Sequence, residues 1–171
     1  YRAKSMTELA QEIGLHNGKT EMWYVMNADK DAGLVSGFNK EVTPQEFEQA
    51  IKDKTVGDLL NYEKVQNDDT FFIPARKIHA LGAGCMVAEI QQTSDTSYRV
   101  YDWDRIDRYG MQRELHIDES LATINFKKED SGKVKYDKNI RNATVNLVKC
   151  PYFTTNLIKL DAESALKKDY S

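Results

Sequence analysis

The chain has 171 residues, of which 40% are hydrophobic and 30% are charged, and its formal net charge is −3. This length suits one domain with a sizeable core, and the composition is typical of a globular protein. Surfaces that bind nucleic acids or membranes normally carry a basic face, whereas Lys and Arg are spread along this chain. The sequence therefore predicts neither a nucleic-acid partner nor a membrane partner.

The two cysteines match no metal-binding or redox motif. Cys85 lies in a run of small residues, and Cys150 follows an apolar segment. Free thiols of this kind are usual in a reducing compartment, so we expect a cytoplasmic location. The sequence leaves the oligomeric state open.

The first part of the chain predicts one helix and two strands. Residues 6–13 (MTELAQEI) have the pattern of a short helix. Residues 21–28 (EMWYVMNA) and 33–39 (GLVSGFN) are rich in aromatic and branched side chains, which favours strands. The short polar turn between the two strands predicts a hairpin.

A helical insertion is predicted at residues 43–61. Thr43 is a good N-cap, Pro44 suits the first helical position, and Glu46 completes a capping box. A second short helix is predicted to begin near Thr55. We expect this insertion to pack on a sheet.

The rest of the chain predicts short strands separated by polar turns. They are residues 70–74, 78–81, 85–91, 97–103, 121–126, 143–149 and 151–162. Asp118 is expected to cap a helical turn at the start of 117–126, and the polar stretch 127–142 is expected to be a loop. Short strands at close spacing indicate an antiparallel barrel or sandwich, so the predicted fold class is mainly β.

His79 is the first of four ionisable residues on predicted strands that could carry chemistry. One interpretation is a histidine that only makes a local hydrogen bond at a strand end. The other starts from Pro74, because P-x-x-x-x-H is the spacing of the second cupin motif, whose histidine binds a metal. The glycine usual two residues after that proline is Arg76 here.

Glu21 is the second candidate. By strand alternation it shares a face with Trp23 and Val25, an unusual place for an unpaired charge. It is either a surface carboxylate paired with Lys19 or a zinc ligand, since carboxylate oxygen and imidazole nitrogen both bind zinc.

Glu89 and Arg99 are the remaining two candidates. Glu89 has apolar neighbours on both sides, so a buried charge there needs a partner. Hairpin pairing would place Arg99 opposite it. The pair would be either a structural salt bridge or two charges that line one cavity.

Several segments together resemble the type I phosphomannose isomerases of the bacterial class, which interconvert mannose 6-phosphate and fructose 6-phosphate. The resemblance covers residues 8 to 160 approximately. It is carried by these strings: GKTEMWYV, IPARKIHALGAG, EIQQTSDTSYRVYDWDR and RELHID. It implies a cupin-like jelly-roll β-barrel and one zinc ion.

The resemblance also implies roles for individual residues. Glu21 of the K-T-E string and His79 of the P-x-x-x-x-H-A string would be zinc ligands. Arg99 of the Y-R-V-Y-D string would be the catalytic arginine. Glu89 and Lys19 match residues that line the family's substrate pocket, and we expect both to act in catalysis on a sugar phosphate.

Two parts of the family's pattern are missing. Its Q-V-H-P motif, which supplies further zinc ligands shortly before K-T-E, would fall at residues 2–5, which read R-A-K-S. His16 falls where the family often has a histidine that is not a ligand. We therefore expect residues 1–171 to be a single, incomplete cupin-type catalytic domain. The second missing part is the family's C-terminal cupin-like domain, and residues 151–171 would begin the link to it.

These departures leave two alternatives to an active isomerase. The chain could be a catalytically impaired cupin that binds a sugar phosphate without turnover. It could also be a structural sugar-binding module in which the pair of Glu89 and Arg99 only braces the barrel.

Overall fold

A computed structural model of the chain describes residues 18–94, 96–103 and 105–161. The predicted helix at 6–13 lies outside these residues. Eight strands, two α-helices and one 3₁₀ helix are found in the described part. In chain order they are β1 (Glu21–Ala28), β2 (Gly33–Phe38), α1 (Pro44–Lys52), the 3₁₀ helix (Val56–Leu59), β3 (Leu60–Lys64), β4 (Thr70–Ile73), β5 (His79–Leu81), β6 (Cys85–Gln91), α2 (Ile117–Thr123), β7 (Thr144–Lys149) and β8 (Thr154–Ile158).

The strands form three antiparallel sheets, which confirms the prediction of a mainly β fold. Their orders are β4-β1-β6, β3-β2-β5 and β7-β8. The predicted hairpin of 21–28 with 33–39 is wrong, because β1 and β2 lie in different sheets. Both edges of β1 are already occupied, one by β4 and the other by β6. The turn between β1 and β2 therefore carries the chain from one sheet to the next.

The helical insertion forms as predicted, but it is shorter. The Thr43 side chain accepts from the Glu46 amide, and the Glu46 carboxylate accepts from the Thr43 amide, which completes the capping box. Phe47 is fully buried beside Phe38 and Phe126, with ring centroids 5.5 and 5.7 Å from its own. Burying a side chain of this size contributes about 2–3 kcal/mol. The predicted helical range ends too late, since Leu60 opens β3 opposite Phe38.

Two predicted strands are absent from the second half. Residues 96–103 have no regular structure. The first half of the predicted strand at 121–126 instead completes α2, whose N-cap is His116 rather than Asp118. Leu121 and Ile124, three residues apart, both pack into the cluster around Phe47, a spacing that a helix satisfies and a strand does not.

The polar segment 127–142 is a loop as predicted, and a network of charges fixes it to the first sheet. Asp69 is 1% exposed, and its carboxylate accepts from Lys133 and Lys138, each at 2.7 Å. Asp68 accepts from Lys159 at 2.5 Å and from the Tyr24 hydroxyl. The two aspartates thus join the loop and Lys159, the residue after β8, to the first sheet.

This network predicts a specific response to acid. Burial raises the pKa of Asp69, but the hydrogen bonds from Lys133 and Lys138 outweigh it and lower the pKa below its usual range. Such a carboxylate contributes stability above the unfolded-state pKa of about 3.9, and loses it as the pH falls through the lower folded-state pKa. We expect Asp69→Asn to lower the free energy of unfolding at pH 7 by about 2 kcal/mol. The free energy of unfolding of the variant should also depend less on pH below about pH 4, as measured by urea unfolding.

The exposed pair of Asp31 and Lys64 offers a matched control. Asp31→Asn should change the free energy of unfolding by less than about 0.5 kcal/mol. Equal effects of the two substitutions would contradict the role given to Asp69.

Candidate active site

Glu21 is a fully buried carboxylate at the start of the central strand β1, with 0% of its side chain exposed. Trp23 and Val25 on the same face are buried too, as alternation predicted. Oε1 lies 2.7 Å from Nε2 of His79, and Oε2 lies 2.7 Å from Nζ of Lys19. Neither oxygen has a partner with hydrogen-bond geometry among the described residues. Buried charges need compensation. Lys19 supplies it to Oε2, whereas Oε1 faces the imidazole ring, which makes the Oε1 side the place for a further cation.

His79 opens β5 in the second sheet, so its contact with Glu21 joins two sheets. Its Nδ1 lies 2.7 Å from the carbonyl oxygen of Lys77. A carbonyl only accepts, so Nδ1 carries a hydrogen, and Nε2 is the ring nitrogen that faces Glu21. Two acceptors 2.7 Å apart repel each other unless a proton or a metal cation lies between them. The ring is further positioned by an edge contact with Trp23, at 5.3 Å between centroids.

Lys19 joins the two carboxylates of the predicted site. Its Nζ is 2.7 Å from Oε2 of Glu21 and donates to Oε1 of Glu89 at 2.6 Å. Trp23, which lies opposite Glu89 in the β1–β6 register, donates its Nε1 hydrogen to Oε2 of Glu89 at 3.3 Å. The sequence interpretation that Lys19 pairs with Glu21 is therefore confirmed, but the pair is buried rather than on the surface.

These contacts keep the charges of Glu21 and Lys19 in place at neutral pH. Burial raises the pKa of Glu21, but His79 and Lys19 outweigh it and lower the pKa to about 2. Burial lowers the pKa of Lys19, whereas Glu21 and Glu89 raise it, and the net effect is a raised pKa. The site thus holds a fixed carboxylate and a fixed ammonium side by side.

A cavity of about 320 Å³ opens beside this cluster. It brings together Lys19, His79 and Arg99, three of the five predicted site residues, whereas Glu21 and Glu89 do not line it. Sequence reasoning missed four further cations that line the cavity: Arg76, Lys77, Arg105 and Arg113. Arg76 and Lys77 are neighbours close to His79, whereas Arg105 and Arg113 come from a later, irregular part of the chain, so sequence spacing alone does not group the four.

Asp102 is the carboxylate among the residues that line the cavity. It accepts two hydrogen bonds from Arg113, one of them at 2.8 Å, and lies 2.9 Å from Arg105. The hydrogen bond from Arg113 lowers the pKa of Asp102. Asp102 thus holds Arg105 and Arg113 together within the irregular segment.

The predicted pairing of Glu89 with Arg99 is wrong. Residues 96–103 form no strand that could lie opposite β6. Arg99 donates instead to the carbonyl oxygen of Glu114 at 3.2 Å, and Glu89 is engaged by Lys19 and Trp23. The alternative of a module braced by a Glu89–Arg99 pair loses its basis.

Glu21 and His79 fit part of a zinc site. They supply one oxygen ligand and one nitrogen ligand in contact, with the outer nitrogen of the histidine fixed by a carbonyl, as is usual for zinc-bound histidine. Catalytic zinc usually has three protein ligands. Within residues 18–94, 96–103 and 105–161, no group of three His, Cys, Asp or Glu side chains could hold a metal ion.

Arg76 has an unusual backbone. Its φ is 75°, in the left-handed region that favours glycine, and a residue with a Cβ pays about 1–2 kcal/mol there. This is the position at which the cupin motif usually has glycine.

The chain is similar to known mannose-6-phosphate isomerases. It is 36% identical over 152 residues to the isomerase ManA of Bacillus subtilis (strain 168), a match that covers 88% of this chain and 48% of the relative. It is 38% identical over 137 residues to the isomerase of Streptococcus mutans, covering 80% of this chain and 43% of the relative. The chain thus spans about half the length of these curated relatives. No protein-family model matches it.

The fold agrees with this similarity. The crystal structure of the mannose 6-phosphate isomerase from Bacillus subtilis matches with a TM-score of 0.72 and 28% identity, covering 86% of this chain and 48% of the other. This match confirms the predicted cupin fold. No helix in the described part of the chain is long and apolar enough to cross a bilayer.

The ion pair of Lys19 with Glu21 predicts a loss of stability when Lys19 is replaced. Lys19→Met leaves the buried Glu21 with His79 alone. We expect the free energy of unfolding at pH 7 to fall by about 1–3 kcal/mol. The wild type holds the stability from Glu21 above the unfolded-state pKa of about 4.3 and loses it toward pH 2. The free energy of unfolding of the variant should therefore vary less with pH between these two values, as measured by urea unfolding at several pH values.

Lys52 pairs with Glu48 on the exposed side of α1 and provides the control. Lys52→Met should cost no more than about 0.5 kcal/mol. If Lys19→Met were no more destabilising than Lys52→Met, the buried ion pair would not have the importance given to it.

Proposed function

The chain is homologous to the bacterial mannose-6-phosphate isomerases over about half of their length, and we propose that its protein interconverts mannose 6-phosphate and fructose 6-phosphate. The observation that carries the proposal is the cavity in which Lys19, His79 and Arg99 meet. A basic cavity next to a buried carboxylate suits a substrate with a phosphate group and an oxygen that becomes negative during the reaction.

The reaction moves a hydrogen from C2 to C1 of the open-chain sugar and a proton from O2 to O1. A base takes the proton from C2, the charge spreads over an enediolate, and a proton is returned at C1. Arg99 suits stabilisation of the enediolate, because its charge is permanent and its donors form a fixed fork. Lys19 adds a second positive charge, since its carboxylate partners raise its pKa.

Glu89 is our candidate for the proton carrier. It is a carboxylate hydrogen-bonded to Lys19, and Lys19 lines the cavity. Its side chain is one third exposed, at 33%, so it can exchange protons with solvent. Glu89 does not itself line the cavity, so in this role it would reach the substrate at the edge of the cavity, beside Lys19.

Glu21 and His79 would hold the zinc ion that the resemblance implies. Their support is the contact of Oε1 of Glu21 with Nε2 of His79, together with the carbonyl oxygen of Lys77 that holds Nδ1. When bound, zinc supplies Lewis-acid polarisation of the sugar oxygens. Burial raises the pKa of Glu21, but the ammonium of Lys19, 2.7 Å from Oε2, lowers it and so helps Glu21 to keep its negative charge for this purpose.

A second candidate function is binding of a sugar phosphate without turnover. It is favoured by the finding that the described residues supply two candidate zinc ligands and no group of three. A coupled assay for fructose 6-phosphate formation from mannose 6-phosphate separates the two functions. Binding of mannose 6-phosphate without product would select the second.

The zinc proposal predicts the outcome of a metal titration. We expect the wild-type chain to bind one zinc ion and His79→Ala to bind it at least about tenfold more weakly, because a first ligand is lost. Isothermal titration with zinc chloride measures the change without reference to activity.

His116, the other histidine in the described residues, is the matched control, because it lies away from Glu21 and accepts a hydrogen bond from the Arg99 amide. His116→Ala should bind zinc as the wild type does. Equal zinc uptake by His79→Ala and the wild type would remove His79 from the metal site.

The role of Arg99 predicts a loss of turnover. We expect Arg99→Ala to reduce kcat by about 10²–10³-fold, the usual cost of removing one group that stabilises a developing oxyanion. Arg108→Ala is the control, since Arg108 stacks on Tyr109 and does not line the cavity. Unchanged kcat in Arg99→Ala would exclude this mechanism, as measured by the coupled assay.

A further inference from the structure

Arg76 lies in the turn that joins β4 to β5 and is held in place from two directions. Its backbone oxygen accepts from the amide of Asn125 at 3.0 Å. Its Nε donates to the carbonyl oxygen of Thr123, the last residue of α2, at 2.7 Å. The guanidinium is therefore positioned at the wall of the cavity, which both Arg76 and Thr123 line.

The backbone of Arg76 is strained in a way that glycine would avoid, since its φ is 75°. Strain of this kind persists where the surrounding structure imposes it, and it concentrates at functional sites. The arginine side chain is what the strained position offers that glycine would not. We therefore look for a function in the guanidinium of Arg76 rather than in the turn.

The guanidinium of Arg76 keeps donors available for a ligand. Lys19 is engaged by Glu21 and Glu89, and Asp102 engages both Arg105 and Arg113. Among the described residues, the side chain of Arg76 bonds only a main-chain oxygen, through Nε, so its two terminal nitrogens have no acceptor. A fork of two N–H groups matches the oxygens of a phosphate monoester.

We propose that Arg76 binds the phosphate group of the sugar phosphate and so makes the cavity prefer phosphate esters to free sugars. This inference rests on the proposed function for its ligand, because mannose 6-phosphate is the phosphate ester in question. It assigns to Arg76 a binding role that is separate from the stabilisation of the reacting carbons by Arg99.

The test measures the binding of mannose 6-phosphate and of mannose by isothermal titration, with the wild type, Arg76→Gly and Arg76→Lys. Glycine suits the backbone conformation at this position, and thermal unfolding checks that the variants are folded. We expect Arg76→Gly to bind mannose 6-phosphate at least about tenfold more weakly, the usual effect of losing hydrogen bonds to a charged group. Binding of mannose should not change. Arg76→Lys keeps the charge but loses the fork, so its affinity should be intermediate.

Lys54 provides a matched control, because it is also a cation with positive φ, 58°, and does not line the cavity. Lys54→Gly should bind mannose 6-phosphate as the wild type does. The proposal is overturned if Arg76→Gly keeps wild-type affinity for mannose 6-phosphate or loses affinity for both sugars equally. It is also overturned if the wild type shows no preference for the phosphate ester.

The same titrations separate this proposal from the proposed function. A wild type that binds mannose 6-phosphate through Arg76 but forms no fructose 6-phosphate supports the role of Arg76 and contradicts the isomerase. A wild type that forms fructose 6-phosphate, together with an Arg76→Gly variant that binds mannose 6-phosphate normally, supports the isomerase and contradicts the role of Arg76.

Discussion

The contact between Glu21 and His79 is the constraint on which the rest of the site depends. It joins the central strand of one sheet to an outer strand of another across 2.7 Å. A fully buried carboxylate is tolerated only with positive charge around it, and this requirement explains why Lys19 and the histidine ring converge there. The convergence of Lys19 and His79 beside the cavity is therefore a consequence of burying one negative charge.

Much of the fold follows from local sequence signals, whereas the pairing of strands does not. The capping box at Thr43 and the strand β1 could be predicted because each depends on residues that are neighbours in the sequence. The partners of β1 were not, because β4 and β6 lie more than forty residues away along the chain. A short turn favoured a hairpin with β2, but the burial of β1 between two other strands decided the outcome.

The same distinction applies to the site. Glu21, His79 and Lys19 were found because each belongs to a short string that resembles a family motif. Their mutual distances confirm that they form one cluster, although their roles in binding and catalysis remain predictions. The partner of Arg99 was misjudged, since residues 96–103 follow no regular geometry from which a contact can be inferred. The remaining cations of the cavity, Arg76, Lys77, Arg105 and Arg113, lie in such strings too, but their convergence on one cavity is seen only in the folded chain.

The cavity has one wall built from sheet strands and another built from the irregular segment that Asp102 fixes to Arg105 and Arg113. Irregular segments accept substitutions and insertions more readily than strands do, while the buried cluster around Glu21 tolerates few changes. Arg99 belongs to the irregular wall, so its position depends on these ion pairs rather than on the backbone hydrogen bonds of a sheet. A change at Asp102 would therefore alter the geometry around Arg99 while the buried charge cluster stays intact.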